Sequence, residues 1–171
     1  YINCLSDDKT YSVIFGDSNT WGYDAATGGR FNEEIRWPMV AAKLLGSEYR
    51  ILEEGLCGRT TCLDDPFNEG LSGLTYLLPC LQTHSPIDML VIMLGTNDCK
   101  QRFSLTAANI ALGMRRLVKK ALEAEVWRDK PNILVIAPGP ILKECELSDV
   151  GKNMGICSDK SYEIAKEYEL I

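Results

Sequence analysis

The chain has 171 residues, of which 46% are apolar, and a formal charge of -6 at pH 7. This length and apolar content predict one globular domain, residues 1–171, with a core of substantial size. The negative charge and the lack of a basic run disfavour nucleic-acid partners, because phosphates would be repelled. The longest purely apolar stretch, residues 89–94, is far shorter than the ~20 residues that cross a bilayer, so no membrane partner is expected.

Cysteine usage points to a reducing compartment. The chain has seven cysteines, none in a Cys-x-x-Cys pair, and one histidine, His84, so no zinc site is predicted. Free thiols in a cytoplasmic protein are the simplest account of this odd set. Residues 1–5 do not lead from a basic segment into a long apolar stretch, so a retained secretory signal is not expected. An already cleaved signal stays compatible with the sequence, as does assembly into a homo-oligomer.

Strand-like and helix-like segments alternate along the chain, which predicts a three-layer α/β/α sandwich around a parallel sheet. Apolar runs place strands near residues 11–15, 49–53, 88–94 and 132–137. Helical spacing places helices near residues 38–45 and 74–81, after residue 104, and near 159–170.

Particular residues predict how these helices begin, end and pack. Pro38 fits the first turn of a helix that Gly46 ends, with Leu44 and Leu45 turned inward. Pro79 predicts a kink or a break in the following helix.

The second half of the chain predicts a long helix, a loop and a final helix. Ser104 can cap the long helix, and residues 141–157 have few periodic signals and are interpreted as a loop that covers the sheet edge. No residues follow the final helix to form the strand to which a crossover helix normally returns. The fourth strand would keep an exposed apolar edge, so we expect the chain to be incomplete at its C terminus.

Two polar tetrads follow apolar runs of the predicted sheet. Residues 16–19 (Gly-Asp-Ser-Asn) follow the run 13–15, and residues 95–98 (Gly-Thr-Asn-Asp) follow the run 90–94. Because the carboxyl ends of parallel strands lie at one edge, where open α/β sheets bind ligands, Ser18 and Asn97 are expected to lie close together. A hydroxyl beside an amide donor predicts a nucleophile with an oxyanion site.

A third segment, residues 54–61, contains Gly58, which lets backbone approach a bound group closely. Together the three segments resemble the SGNH (GDSL-type) serine esterase family. The amino-acid sequence at residues 18–22, 36–38, 53–56 and 64–66 is most similar to the branch that contains bacterial arylesterases and acyltransferases. The resemblance runs from about Tyr11 to the last residue. The order and strand contexts make this signal specific.

The resemblance implies a flavodoxin-like fold and a set of catalytic roles. Ser18 would be the nucleophile, and the oxyanion would be held by Gly58, Asn97 and the Ser18 backbone. The family's mechanism needs no metal or organic cofactor and acts on small acyl esters. Its Asp and His, three residues apart on a late loop, have no counterpart after Asn97. His84 precedes the third strand, so we place it at the opposite sheet edge and interpret it as a helix-end or turn residue.

Other residues near the presumed site have two interpretations each. Cys57 and Cys99 could act as nucleophiles, but neither has a nearby histidine in the sequence, and packing is the favoured role. Asp17 and Asp98 are expected to cap backbone N–H groups.

Trp21 and Arg59 are the predicted substrate-binding residues. Trp21 would form a wall of the acyl or alcohol pocket, with ordinary loop packing as the alternative. Arg59 could steer an anionic substrate, although an ion pair with Asp64 or Asp65 is favoured because those acids are so near in sequence.

Serine-dependent hydrolysis, or acyl transfer, of small carboxylic esters is therefore the leading hypothesis. A binding module that keeps the pocket and has lost the base is the second. A flavodoxin-like nucleotide or flavin binder is the third, and it is weakened because residues 16–22 lack the glycine spacing of phosphate cradles.

Overall fold

A parallel sheet forms the centre of the computed structural model, which describes residues 8–171. Cys4 and the N-terminal segment considered for a signal lie outside these residues. The four strands are β1 (Thr10–Gly16), β2 (Tyr49–Gly55), β3 (Met89–Met93) and β4 (Ile133–Val135), in the spatial order β2-β1-β3-β4. This order is that of the flavodoxin-like sheets, so the predicted α/β fold is confirmed.

Helices flank the sheet. They are α1 (Ser18–Trp21), α2 (Trp37–Leu45), α3 (Gly73–His84), α4 (Ala107–Leu122), α5 (Gly151–Met154) and α6 (Ser158–Tyr168). Short 3-10 turns occupy Asn97–Cys99, Gln101–Phe103 and Lys143–Leu147. Within the described residues, no helix is both long enough and apolar enough to cross a membrane.

The core lies between the inner strands and the long helices. β1 and β3 carry near-continuous apolar runs, as strands covered on both faces do. Helix α4 turns a stripe of fully buried side chains to this core, namely Ile110, Met114, Leu117 and Ala121, as its helical spacing predicted. This packed block holds the loops at the carboxyl ends of the strands in place.

Three helix predictions need correction. Helix α4 is capped by Thr106, whose capping box with Asn109 satisfies the first turn, whereas Ser104 lies one turn earlier in a left-handed conformation. Leu44 and Leu45 are 83% and 48% exposed, because α2 packs against β2, the edge strand. Of the two alternatives predicted at Pro79, the break is wrong, because α3 continues from Gly73 to His84, and the kink stays a prediction.

The segment between β4 and α6 is more ordered than predicted. Residues 141–157 contain a 3-10 turn and the short helix α5. The polar contacts that order this segment lie far apart in sequence, since Glu146 accepts the N–H groups of Cys157 and Ser158. Helical periodicity could not reveal contacts of this kind.

Strand β4 forms one edge of the described sheet. Its only pairing within residues 8–171 is with β3, and Leu134 on it is 45% exposed. The exposed apolar edge predicted for the fourth strand is therefore present in the described part of the chain.

Candidate active site

The strand register brings three loops together. Gly16 at the end of β1 is in register with Gly55 of β2 and with Met93 of β3. The chain leaves the sheet at this same edge three times, and Ser18, Gly58 and Asn97 lie on the three segments that follow. All three residues line one cavity of about 1040 Å³.

Ser18 is placed by a tight turn from β1 into α1. The Asp17 carboxylate caps the short helix by accepting the Asn19 N–H at 2.9 Å, which confirms the capping role predicted for Asp17. A Cβ on Gly55 would lie 2.3 Å from the Trp21 nitrogen, so only glycine lets the end of β2 pack against this turn. The nucleophile candidate therefore sits on a rigid support.

Gly58 lines the same cavity as Ser18. Its φ is +88°, in the left-handed region, and a Cβ there would also lie 2.9 Å from Leu71 Cδ1. Neither the Gly58 N–H nor the Ser18 N–H donates to an acceptor within the described residues. Two unused donors thus line the same cavity.

The Asn97 side chain is the third donor, and its orientation is fixed by hydrogen bonds. Its Nδ2 donates to the Arg59 carbonyl at 3.1 Å and lies 3.5 Å from Asp17 Oδ2. The residue is only 6% exposed. The amide is consequently aimed before any ligand arrives.

The rest of the cavity is partly apolar and partly polar. One wall comes from the loop before α3 and the other from residues 141–154, and both supply apolar side chains: Phe67, Leu71, Ile141, Val150 and Met154. The segment predicted as a loop over the sheet edge therefore does border the site.

Two carboxylates lie buried beneath this edge. Burial raises the pKa of Asp17 from its ordinary 3.8 to about 6, and the neighbouring charge of Asp98 adds to the effect. Burial likewise raises the pKa of Asp98 to about 6, although hydrogen bonds from Thr61 oppose the rise. Both groups therefore carry a cost when they ionise.

Asp98 accepts a backbone N–H group, as predicted, but that group belongs to Thr61 on a distant segment. Its carboxylate accepts the Thr61 N–H at 3.0 and 3.1 Å and the Thr61 hydroxyl at 2.5 Å. The bond ties the loop that carries Asn97 to the loop that carries Gly58. A cap prediction considers only local N–H groups and so could not identify a partner 37 residues away.

His84 is the last residue of α3, which confirms the interpretation of a helix-end histidine. Its predicted place at the opposite sheet edge is wrong for the imidazole, which contacts Glu54, the penultimate residue of β2. His84 Nε2 lies 2.6 Å from Glu54 Oε1, and His84 is not among the residues that line the Ser18 cavity. The only imidazole of the chain is therefore engaged elsewhere.

The two cysteines considered as alternative nucleophiles have unfavourable surroundings. Cys57 is exposed and lines the cavity, but partial burial and the charge of Asp17 raise its pKa. Cys99 is fully buried, and its pKa is raised to about 12. A nucleophilic thiol needs a lowered pKa, so both observations favour Ser18.

Neither Trp21 nor Arg59 is among the described residues that line the cavity. The Trp21 ring lies under the Arg30 guanidinium, 5.1 Å from it. Arg59 is buried, donates from Nη1 to the Gly16 and Glu54 carbonyls, and stacks 4.2 Å over the Phe15 ring. Its favoured ion pair with Asp64 or Asp65 is wrong, since Asp65 pairs with Arg102 at 2.8 Å.

Sequence reasoning missed one group that shapes the cavity. Asp65 is buried and holds Arg102 at 2.8 Å and Lys100 at 3.6 Å, while Arg102 donates to the Asn153 carbonyl and side chain. These contacts join the two walls of the cavity. The signal available was the pair of cations three and five residues after Asn97, but charge spacing alone does not identify a buried partner.

Comparison with known proteins agrees with the fold and the motifs. The GDSL-like Lipase/Acylhydrolase family matches residues 14–157. No protein with a curated description matches the chain.

Solved structures provide the detailed likeness. The M. smegmatis aryl esterase is 37% identical with a TM-score of 0.84, and the match covers 94% of this chain and 78% of that one. Est24, a carbohydrate acetylesterase from Sinorhizobium meliloti, is 38% identical with a TM-score of 0.85, over 95% of this chain and 79% of that one.

A more distant likeness carries only the fold. A lipolytic G-D-S-L family member from Veillonella parvula is 14% identical with a TM-score of 0.62, over 94% of this chain and 71% of that one. The family match over residues 14–157, together with the likeness to the aryl esterase and the acetylesterase, confirms the predicted resemblance, and the chain belongs to the GDSL-like lipase/acylhydrolase family of esterases.

Proposed function

We propose that this chain hydrolyses small carboxylic esters, or transfers their acyl group, with Ser18 as the nucleophile. The observation that carries the proposal is the shared cavity of Ser18, Gly58 and Asn97, where the Ser18 and Gly58 N–H groups meet no acceptor from residues 8–171. Ester hydrolysis needs a hydroxyl nucleophile and donors aimed at the oxygen that becomes negative.

In this mechanism Ser18 Oγ attacks the ester carbonyl carbon, and the carbonyl oxygen becomes an oxyanion. The Ser18 N–H, the Gly58 N–H and the Asn97 amide donate to that oxygen. The Asn97 hydrogen that faces Asp17 Oδ2 does so at 3.5 Å, a long contact that a charged oxygen can replace. A general base takes the Ser18 hydroxyl proton and gives it to the departing alcohol as the C–O bond breaks. Water or another alcohol then loses a proton to the base, attacks the acyl group and frees Ser18.

The substrates we propose are short acyl esters of an aromatic or sugar alcohol. The two similar solved proteins are an aryl esterase and a carbohydrate acetylesterase. The apolar walls around Phe67 and Val150 suit a planar or small apolar group. We infer further that the 171 residues act as one SGNH hydrolase domain in the cytoplasm, without a nucleic-acid partner.

The general base is the part that these 171 residues do not bring to Ser18. His84, their only histidine, is bound to Glu54. We propose that an imidazole from outside these residues serves as the base. If none does, the binding-module hypothesis applies, and the cavity holds acyl ligands without turnover.

Asp17 and Asp98 act as positioning residues in this proposal. Asp17 fixes the turn that carries Ser18, and Asp98 joins the Asn97 loop to Thr61. Because their pKa values are raised to about 6, both carboxyl groups are partly protonated near pH 6. They are therefore poor candidates for stabilising the positive charge of a protonated imidazole at that pH.

Exogenous imidazole should rescue hydrolysis of phenyl acetate by the 171-residue chain. Without a base, the oxyanion donors and binding alone typically give ~10³–10⁴ over the uncatalysed rate. Added imidazole should raise this rate in a saturable manner, because it supplies the proton transfer that a base otherwise provides. The measurement is initial rate against imidazole concentration.

Ser18→Ala gives the imidazole background and is the matched control. Rates of the variant equal to those of the native chain at every imidazole concentration would exclude Ser18 as the nucleophile. Efficient turnover that does not depend on imidazole would refute the missing base. Ligand binding with neither turnover nor rescue would favour the binding module.

Asn97→Ala should lower kcat by ~10²–10³ and leave KM nearly unchanged, because the amide binds charge that appears only in the transition state. Asn68→Ala is the control, since Asn68 lines the same cavity but lies outside the proposed oxyanion site. We expect this control to alter KM more than kcat. An equal loss of kcat in both variants would remove Asn97 from its proposed role.

Asp98→Asn should flatten part of the pH dependence of stability. The pKa of Asp98 is higher in the folded chain, about 6, than its ordinary 3.8, so the folded state binds the proton more tightly. The stability contributed by this group is complete below about pH 4 and is lost as pH rises through about 6. The free energy of unfolding of the native chain, relative to the variant, should therefore fall between these values.

Urea titrations at several pH values measure this difference. Asp64→Asn, which changes an exposed carboxylate in a nearby loop, is the control. Its free energy of unfolding should depend on pH almost as that of the native chain does. A relative stability that rises between pH 4 and 6 would contradict the account of Asp98.

A further inference from the structure

Three metal-ligating side chains of different kinds meet between β2 and α3, outside the Ser18 cavity. Glu54 lies on β2, and Cys80 and His84 lie on α3. A carboxylate oxygen, the thiol sulfur and an imidazole nitrogen all lie within 4.8 Å of one another. None of the three residues lines the cavity described above.

The secondary structure explains this meeting. Cys80 and His84 are four residues apart on one helix, so they share a face one turn apart. Side chains of this face contact Glu54, the penultimate residue of β2. The same spacing on helices serves to present two ligands to one metal ion.

We propose that Glu54, Cys80 and His84 bind a divalent cation of the zinc type. Sulfur, imidazole nitrogen and carboxylate oxygen are the donors that Zn²⁺ combines, whereas Ca²⁺ and Mg²⁺ take oxygen ligands. A tetrahedral ion with three protein ligands keeps a fourth position. Water fills that position, or the hydroxyl of Tyr76, which lies 3.3 Å from Glu54 Oε2.

Binding requires only a small adjustment. Glu54 Oε1 and His84 Nε2 are 2.6 Å apart, and two ligands of one tetrahedral Zn²⁺ are roughly 3.5 Å apart at the usual metal–ligand lengths. The two side chains are 19% and 23% exposed, so they can separate and an ion can reach them from solvent.

Zinc binding at this site should release the proton of the Cys80 thiol. Burial and the charge of Glu54 raise the pKa of Cys80 to about 12, so the metal-free thiol is protonated near pH 7. The Arg59 guanidinium opposes this rise and favours the thiolate. One Zn²⁺ with the Glu54 carboxylate and the Cys80 thiolate is neutral, and forming the Zn–S bond releases the thiol proton to solvent. Affinity should therefore rise as the pH rises, because the thiol proton must leave when the metal binds.

Calorimetric titration with zinc chloride tests the site on the intact chain. We expect one ion per chain. Cys80→Ser and His84→Gln should each weaken zinc binding by at least ~100-fold, because loss of a residue that only hydrogen-bonds to a metal ligand already weakens affinity ~10–100-fold. Cys99→Ser is the matched control, since Cys99 and Cys80 are both fully buried, and Gln82→Ala is the control on α3. Both controls should bind as the native chain does.

Cobalt spectroscopy on the native chain gives a second readout that does not depend on how well a variant folds. Co²⁺ should produce a sulfur-to-metal charge-transfer band in the near ultraviolet and the visible bands of a tetrahedral ion. A spectrum without the sulfur band, zinc binding that His84→Gln leaves unchanged, or no zinc binding would each overturn the proposal. In those cases the three residues form only a hydrogen-bonded cluster.

Discussion

The site depends on the register between the edge strand β2 and the two inner strands, β1 and β3. Gly16 stands beside Gly55 on one side and Met93 on the other, so the three strands finish level with one another. A shift of one residue in either pairing would turn every side chain of a strand to the other face and move the loop that follows. The buried apolar runs of β1 and β3 fix this register, since shifting them would expose core.

The loops at this edge are then held by buried polar contacts. Asp98 binds Thr61, the Arg59 carbonyl accepts from Asn97, and the Arg59 side chain joins the ends of β1 and β2. Such contacts are strong because water is excluded, and they cost free energy when a carboxylate must ionise there. The raised pKa values of Asp17 and Asp98 are the measure of that cost. In return the donors proposed for the oxyanion are oriented in advance, which is what charge stabilisation in a transition state requires.

The features that the sequence predicted correctly depend mostly on local pattern. Strand positions, the burial of Ile110 and Met114, and the capping role of Asp17 follow from periodicity and turn chemistry, and the structure has all of them. The shared cavity of Ser18 and Asn97 followed from a single topological rule for parallel sheets.

What the sequence did not predict depends on contacts between distant segments. Asp98 with Thr61, Asp65 with Arg102, and Glu54 with His84 are 37, 37 and 30 residues apart. Nor could the sequence show that Arg59 donates to the Gly16 carbonyl instead of pairing with Asp64 or Asp65. The sequence predicted Ser104 as the cap of α4, whereas Thr106 is the cap. Serine and threonine are both good N-caps, so residue type alone does not show where the helix begins.

The central claim is that Ser18, Gly58 and Asn97 act together on one oxygen. A crystal structure of the chain with phenylboronic acid tests it most directly, because boron forms a tetrahedral adduct with a hydroxyl and its oxygens mimic the oxyanion. The account predicts a bond between boron and Ser18 Oγ, with one boronate oxygen about 2.7–3.1 Å from both the Gly58 nitrogen and Asn97 Nδ2. An adduct on another residue, or an adduct on Ser18 whose oxygens approach neither donor, would contradict it.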